Sequence, residues 1–279
     1  MNRTLHQRHR HAFVTGASAG LGRAFAEMLL AEGVRVWGTA RDVGRLTELA
    51  ARHPDLFTPV VMDLHEPVPA SAAFARSANS IGGSFDLLIN NAGYGIFGAF
   101  HDTPPELWQK QLDAMMGTTM RLTHDALVRM RQLGRGCIVN VSSLAVEFPL
   151  PFMSGYNIAK AGLSALSESL IVETRGSGIK VIDFRPGDFD TEFNQAMLTS
   201  FSGGIAATAS AAAWRALEAH REAAPPPHKA ARDLRRALMR NRSGTVRSGS
   251  FFQARFAPIF AALIPASARR FIAARYFGL

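Results

Sequence analysis

The sequence predicts a three-layer, doubly wound α/β fold, and three observations carry that expectation. Short apolar runs alternate with longer helical patterns from the start of the chain, which is how strands joined by helical crossovers read. A glycine-rich stretch, "VTGASAGLGR", follows the first apolar run and opens the first helical one. The 279 residues, 47% of them hydrophobic, suffice to bury one large core, so a single domain is expected over residues 12–279, with 1–11 as a flexible tail.

Taken in order, "HAFVTG" reads as a buried strand and "AGLGRAFAEMLLAEG" as a helix closed by Gly33. "VRVWGTA" is the second strand, "VGRLTELAARH" a helix that must end before Pro54, and "LFTPVVMDL" the third strand. A variable helix near 68–80 leads to "FDLLINNAG", the fourth strand. Then come a long helix from about Pro104 to Leu133, the strand "GCIVNVSS", the helix "GYNIAKAGLSALSESLIVETR" and the strand "IKVIDFRPG". Right-handed crossovers arrange these six strands as a mostly parallel sheet between two helical layers, and "GTVRSG" near the end would add a seventh. Residues 190–204, broken by Gly203-Gly204, are expected as a mobile cover over the sheet edge. Two helices follow, "ASAAAWRALEAHREAAPPPH" and "KAARDLRRALMRNR". The chain ends in basic, aromatic helical segments interrupted at Pro258 and Pro265, and 190–279 as a whole is expected to cover the substrate.

Composition narrows the function classes. The net charge of +9 is unevenly placed: residues 1–214 hold 18 basic and 19 acidic side chains, while 215–279 hold 13 and 3. A basic appendage on a nearly neutral body is therefore expected, suited to packing over the pocket mouth or peripheral contact with anionic lipid rather than to nucleic acid. No apolar run reaches the roughly 18 to 20 residues of a membrane span, and the start lacks the apolar stretch of a secretory signal, so a cytoplasmic protein is expected. The single cysteine, Cys137, sits in an apolar strand neighbourhood and reads as an inert packed thiol. His6, His9 and His11 have no partner at ligand spacing, so they read as a solvated tail and no metal is expected.

Within the glycine-rich stretch, Gly16 permits a sharp turn, Gly20 lets backbone approach a pyrophosphate, and Gly22 allows close packing of helix on sheet. The helix N-terminus that follows offers free N–H groups to a phosphate. Farther on, Tyr156 and Lys160 lie four residues apart on one helix face, so a phenol and an ammonium can reach the same point. A free tyrosine holds its proton to about pH 10; a neighbouring ammonium is expected to draw that down toward the working range.

With the G-x-x-x-G-x-G spacing, "NNAG" at 90–93, Ser143, Tyr156 and Lys160 in this order, the chain from about 12 to 191 resembles the short-chain dehydrogenase/reductase family. The resemblance implies a Rossmann fold that binds a nicotinamide cofactor. It gives Tyr156 the role of general acid/base, Ser143 that of orienting the substrate oxygen, and Lys160 that of holding the nicotinamide ribose and tuning the phenol. It also assigns cofactor contacts to Gly16, Ser18, Gly20, Leu21 and Gly22, to Asp63 and Leu64 at the third strand's end, to Asn90, Ala92 and Gly93, and to Pro186, Gly187 and Thr191. At the end of the second strand Ala40 stands where an NAD-selective acid would, followed by Arg41, whose guanidinium suits a 2′-phosphate; NADP(H) is expected in preference to NAD(H), with Asp42 opposing. One departure is plain. Where the family places an asparagine in the long helix after the fourth strand, this chain has Met115, or Met116 in a register one residue later, and a thioether cannot replace an amide's donors.

Phe97, the run "VEFPLPFM" from 146 to 153, and Phe193, Met197 and Phe201 are expected to line an apolar pocket, with Glu147 a polar exception and Asp183 turned to the wetter edge of its strand. The leading expectation is hydride transfer between NADP(H) and the carbonyl or alcohol of a lipophilic small molecule, by a homo-oligomer of two or four copies. The rival is a slow NADP(H)-binding sensor or scaffold, motivated by Met115 and the basic tail.

Overall fold

The structure, a computed structural model, describes residues 4–193, 197–200, 205–222, 224–256, 259 and 263–279. Its centre is a seven-stranded sheet in the order β3-β2-β1-β4-β6-β7-β9, formed by Phe57–Val61 (β3), Arg35–Ala40 (β2), His11–Val14 (β1), Leu87–Asn90 (β4), Gly136–Val141 (β6), Ile179–Pro186 (β7) and Gly244–Ser248 (β9). Every neighbouring pair in it is parallel, in registers such as Phe13 opposite Trp37 and Leu88 opposite Ile138. The central strands are unbroken apolar runs because helices cover both faces.

On one face Gly20–Ala31 (α2), Thr47–Arg52 (α3) and Pro227–Arg240 (α9) bury Phe25, Leu29, Leu49, Leu234 and Leu238 against Val14, Val36 and Phe184. On the other, Pro67–Asn79 (α4) and Thr119–Leu133 (α6) bury Phe74, Leu122 and Met130 against Phe13, Leu88 and Ile138. A third cluster, beyond the carboxyl ends of the strands, gathers Met115, Met153, Tyr156, Met197, Leu217 and Phe277 around the cavity described below. Ser154–Glu173 (α7) runs from that cluster along the sheet.

Three features differ from the sequence reading. The expected flexible tail is packed from residue 4 onward: Leu5–Arg8 forms a short helix (α1), Leu5 is fully buried beside α9, and His9 is buried too. Backbone N–H groups of Arg10 and His11 donate to Asp86 Oδ2 at 3.0 and 3.1 Å. A single apolar residue in so short a segment has no periodicity to reveal it. The long helix after β4 is divided, with Pro105–Leu112 (α5) and α6 separated by a π-helical turn over Asp113–Thr118. Such a turn adds one residue within a run that is helical on both sides, and no proline marks it as a helix end in the sequence. A small parallel ladder, Ile96–Gly98 (β5) with Leu198–Ser200 (β8), forms outside the main sheet from runs too short to register as strands. Ile205–Glu222 (α8) and Ala266–Tyr276 (α10) complete the C-terminal part. Gly203, Gly204 and Phe201, to which the mobile-cover and pocket expectations extend, lie outside the described residues.

Candidate active site

The turn after β1 is built on positive backbone angles at Gly16 (φ +69°) and Gly20 (φ +53°), which side-chain-bearing residues rarely adopt. At Gly22 the constraint is space: a Cβ there would stand 2.0 Å from Gly16 O and 2.4 Å from Asn91 Nδ2. The backbone of α2 can therefore approach the turn only without a side chain, and its amino end is left facing the cavity. Thr15 Oγ1 accepts from the N–H groups of Asn91 and Ala92 at 2.9 and 3.0 Å, locking this turn to the end of β4.

Gly16, Ser18, Gly20, Leu21, Arg41, Asp63, Leu64, Ala92, Gly93, Pro186, Gly187 and Thr191 all line one cavity of about 920 Å³ with Ser143, Tyr156 and Lys160. Two expected cofactor residues take other positions. Asn90 is buried away from the cavity, its Nδ2 donating to Thr123 Oγ1 (2.9 Å) and Asn140 Oδ1 (2.8 Å), while its neighbour Asn91 lines the cavity. Side chains alternate along a strand, so a shift of one residue exchanges the two roles. Gly22 stands behind the wall, where packing needs it. Asp42, named as opposing a 2′-phosphate, turns its Oδ1 onto the Gly44 N–H at 2.9 Å. Asp42 and Arg41 both line the cavity, so the opposition of Asp42 to a 2′-phosphate stands beside the attraction of Arg41. Arg45, which the sequence reading missed, reaches the same rim and pairs with Glu192 at 3.2 Å.

Ser143 begins a 3₁₀ turn after β6, with its Oγ accepting from Ala145 N–H at 3.0 Å, which leaves its own proton to donate inward. Its hydroxyl faces the Tyr156 phenol and favours the ionised form of that group. One turn along α7, Lys160 Nζ lies 5.7 Å from the centre of the Tyr156 ring and donates to Val141 O at 2.7 Å. Both side chains are buried. Burial pushes the phenol up to about 12, a rise opposed by Ser143 and increased by Asp188. Burial also brings Lys160 down to about 8, opposed by Asp183. The expected lowering of the phenol by the ammonium is therefore not what the chain alone produces. Desolvation dominates and favours the neutral form of each group.

Met115 rather than Met116 occupies the departure noted above. A Cβ on Gly93 would meet Met115 Cε at 3.1 Å and Lys160 Nζ at 3.7 Å, so the thioether sits beside the ammonium in the cavity wall. Met116 packs instead toward Gly162 on α7.

Asp183 corrects another expectation: it is fully buried, not at a wet edge. It accepts from the hydroxyls of Ser142 and Ser164 and from Arg185 Nε at 2.8 Å. Arg185 continues to Glu147 at 2.7 Å, and Arg247 reaches the same carboxylate at 2.7 Å. Glu147 is thus spent on this ionic network and does not line the cavity. The network braces β7 against the segment carrying Ser143; apart from the neighbouring Asp183 and Arg185, its partners lie 19 to 100 residues apart and looked isolated in the sequence.

Phe148, Pro149, Leu150, Met153, Phe193 and Met197 line the substrate end as expected, whereas Phe97 is buried behind it. The opposite wall belongs to the cover expected from 190–279, whose residues beyond 201 the sequence does not single out, and is formed by Leu217, His220, Phe252, Ile272, Tyr276 and Phe277 from α8 and the C-terminal segments. The His220 and Tyr276 rings stack with centroids 4.0 Å apart. Cys137 is buried, and burial pushes its thiol up to about 12, so it is unreactive.

Comparison with known proteins agrees with this geometry. Residues 10–201 match the family described as short chain dehydrogenase. A 3-ketodihydrosphingosine reductase from Bacteroides thetaiotaomicron is 32% identical over 184 residues, which is 64% of this chain and 64% of that protein's own length. The crystal structure of a short-chain dehydrogenase from Streptomyces avermitilis covers 94% of both chains at 30% identity, with a TM-score of 0.82. A metagenomic short-chain oxidoreductase solved in complex with NADP covers 85% of this chain and 96% of its own, at 27% identity and a TM-score of 0.66.

Proposed function

Because the chain belongs to the short-chain dehydrogenase family, we propose that it transfers hydride between NADP(H) and the carbonyl or alcohol of a lipophilic small molecule. One observation carries this reading: Ser143, Tyr156 and Lys160 share a single cavity with a glycine turn that has no room for a Cβ at Gly22. The remaining wall is largely apolar, which suits a lipophilic substrate. A relative named for reducing 3-ketodihydrosphingosine is consistent with carbonyl reduction.

The residues fit a dinucleotide. The amino end of α2 and the turn at Gly16–Gly20 would hold the pyrophosphate, Asp63 and Leu64 the adenine, and Lys160 the nicotinamide ribose. Arg41, with no carboxylate in ion-pair distance among the described residues, would grip a 2′-phosphate, with Arg45 close by; this favours NADP(H). Bound in its reduced form, the nicotinamide supplies the hydride.

The chain's own work is to position and move a proton. Ser143 donates to the substrate's carbonyl oxygen and orients it beside the phenol. Tyr156, kept protonated by its burial, gives its proton to that oxygen as negative charge develops there. Lys160 is fixed by Val141 O so that its charge acts on the phenolate that remains. In the oxidative direction the same phenolate takes the proton back.

Two further parts of the reading concern assembly and place. Exposed apolar residues on α6 and α7, including Val128 and Ile158, suit a homo-oligomeric interface. No helix among the described residues is long and apolar enough to cross a membrane. The C-terminal segments nevertheless expose Phe251, Phe271 and Leu263 beside Arg255, Arg269 and Arg270, a composition suited to peripheral contact with anionic lipid.

The test is to mix purified protein with NADPH and a panel of hydrophobic ketones. Oxidation of NADPH with at least one ketone is expected. Tight NADPH binding with no oxidation across the panel would instead favour the sensor reading that Met115 motivates.

A further inference from the structure

Among the described residues, four acidic ones line the cavity: Asp63 is assigned to the adenine, Asp42 accepts from Gly44 N–H, Glu192 pairs with Arg45, and Asp188 has no role in the reaction above. Asp188 follows Gly187 at the end of β7 and lines the cavity. Its Oδ2 accepts from Gln253 Nε2 at 2.6 Å, so the carboxylate is held in a set orientation by a residue from the C-terminal segment. The clamp depends on Gly187: a Cβ there would stand 2.8 Å from Gln253 Oε1 and 3.0 Å from Leu144 Cδ1. Gly187 thus packs against Leu144, the residue after Ser143, so the chain enters Asp188 beside the segment that carries Ser143.

The charge of Asp188 is not neutralised locally. Of the basic residues lining the cavity, Lys160 is held by Val141 O, Arg45 pairs with Glu192, Arg41 stands at the cofactor end, the His220 ring stacks on Tyr276 and Lys110 comes from α5; none of them forms an ion pair with Asp188. No described side chain supplies a cation to Asp188. Burial raises the phenols of Tyr156 and Tyr276, and the charge of Asp188 adds to both rises. A half-buried carboxylate with no ion-pair partner, in a cavity whose lining is largely apolar, is a ready acceptor for a ligand's ammonium group.

We propose that Asp188, oriented by Gln253, is a specificity-determining residue that binds an ammonium group carried by the substrate within a few bonds of its reacting carbonyl. The substrate class is then a lipophilic amino ketone or the matching amino alcohol: the apolar wall takes the chain, Ser143 and Tyr156 take the oxygen, and Asp188 takes the amine. The inference rests on the proposed reaction for its carbonyl, but not for its amine.

The test has two arms, both on the full chain. In the first, binding of octylammonium and of octanol is measured by calorimetry on wild type and Asp188→Asn in the presence of NADP. Octylammonium is expected to bind about tenfold or more tighter than octanol to wild type, as a charge-assisted hydrogen bond allows. Asp188→Asn should erase that difference, and the milder Gln253→Ala should reduce it. In the second arm, kcat/KM is compared for ketones of equal length with and without an α-ammonium group. The ratio between them is expected to fall about tenfold or more in Asp188→Asn. Equal affinity of wild type for amine and alcohol, or a preference that survives in Asp188→Asn, overturns the inference. An Asp188-dependent amine preference without turnover of any ketone supports the inference while removing the proposed reaction. Turnover of plain ketones with no amine preference does the reverse.

Discussion

Residues 12–191 and residues 205–279 face each other across one cavity, and they build their sides by different means. The first wall joins backbone and strand ends, with positive-φ glycines, the amino end of α2 and polar side chains at the carboxyl edge of a parallel sheet, to an apolar stretch that includes Phe148, Leu150 and Met153. The second is made of side chains alone, with Leu217, Phe252, Ile272, Tyr276 and Phe277 projecting from helical segments outside the main sheet. A wall of backbone fixes what kind of cofactor is held. A wall of side chains can be rebuilt residue by residue, which suits it to choosing a substrate.

The division predicts how each side should fail. Tyr156→Phe should have the largest effect, lowering kcat by about 10²- to 10⁴-fold while leaving the Kd for NADPH near that of wild type. A loss of cofactor binding of similar size would show that Tyr156 acts through folding instead. Next in size, Arg41→Ala should weaken NADPH by about ten- to a hundredfold and NADH hardly at all, as expected from losing charge-assisted contacts to one phosphate. Equal weakening of both would place Arg41 outside the 2′-phosphate site. On the second wall, Phe277→Ala should raise KM for lipophilic ketones about tenfold, in line with lost apolar contact, with cofactor Kd unchanged. If the cofactor suffers as much as the ketone, the two walls are not separable.

The smallest effect concerns the packed N-terminus. Burial holds His9 and His11 below their ordinary value of 6.5. The unfolded chain therefore binds more protons than the folded one as pH drops past 6.5, so stability should fall with acidification through that point. His9→Leu should flatten this part of a Tm-against-pH curve. An unaltered curve would mean that these histidines are protonated in the fold at no cost.

The same division explains what could be read from the sequence. The alternation of strands and helices, the glycine turn, and the Ser143, Tyr156 and Lys160 set are local patterns with fixed spacing, and all three catalytic candidates meet in one cavity. Asn90 was misplaced by one residue because a strand end does not announce which face it turns inward. Glu147 and Asp183 were misread because Arg185 reaches Glu147 from 38 residues away, and Ser142 and Ser164 reach Asp183 from 41 and 19. The direction of the Tyr156 shift was missed for a related reason: the ammonium is visible at i+4, whereas burial is a property of the whole surrounding structure. Leu5, and which residues of the C-terminal cover face the cavity, could not be read because their partners are set by tertiary packing and carry no period of their own.

The account's central claim is that Tyr156 is kept as a protonated phenol by burial and becomes a usable acid/base only when a positive charge is brought beside it. The chain has three tyrosines, Tyr94, Tyr156 and Tyr276, so an ultraviolet pH titration of wild type minus Tyr156→Phe isolates this one phenol. Without cofactor it is expected to ionise near the raised value of about 12, and saturation with NADP⁺ should move that ionisation downward. A phenol that ionises at its free-solution value and does not respond to NADP⁺ would contradict the claim.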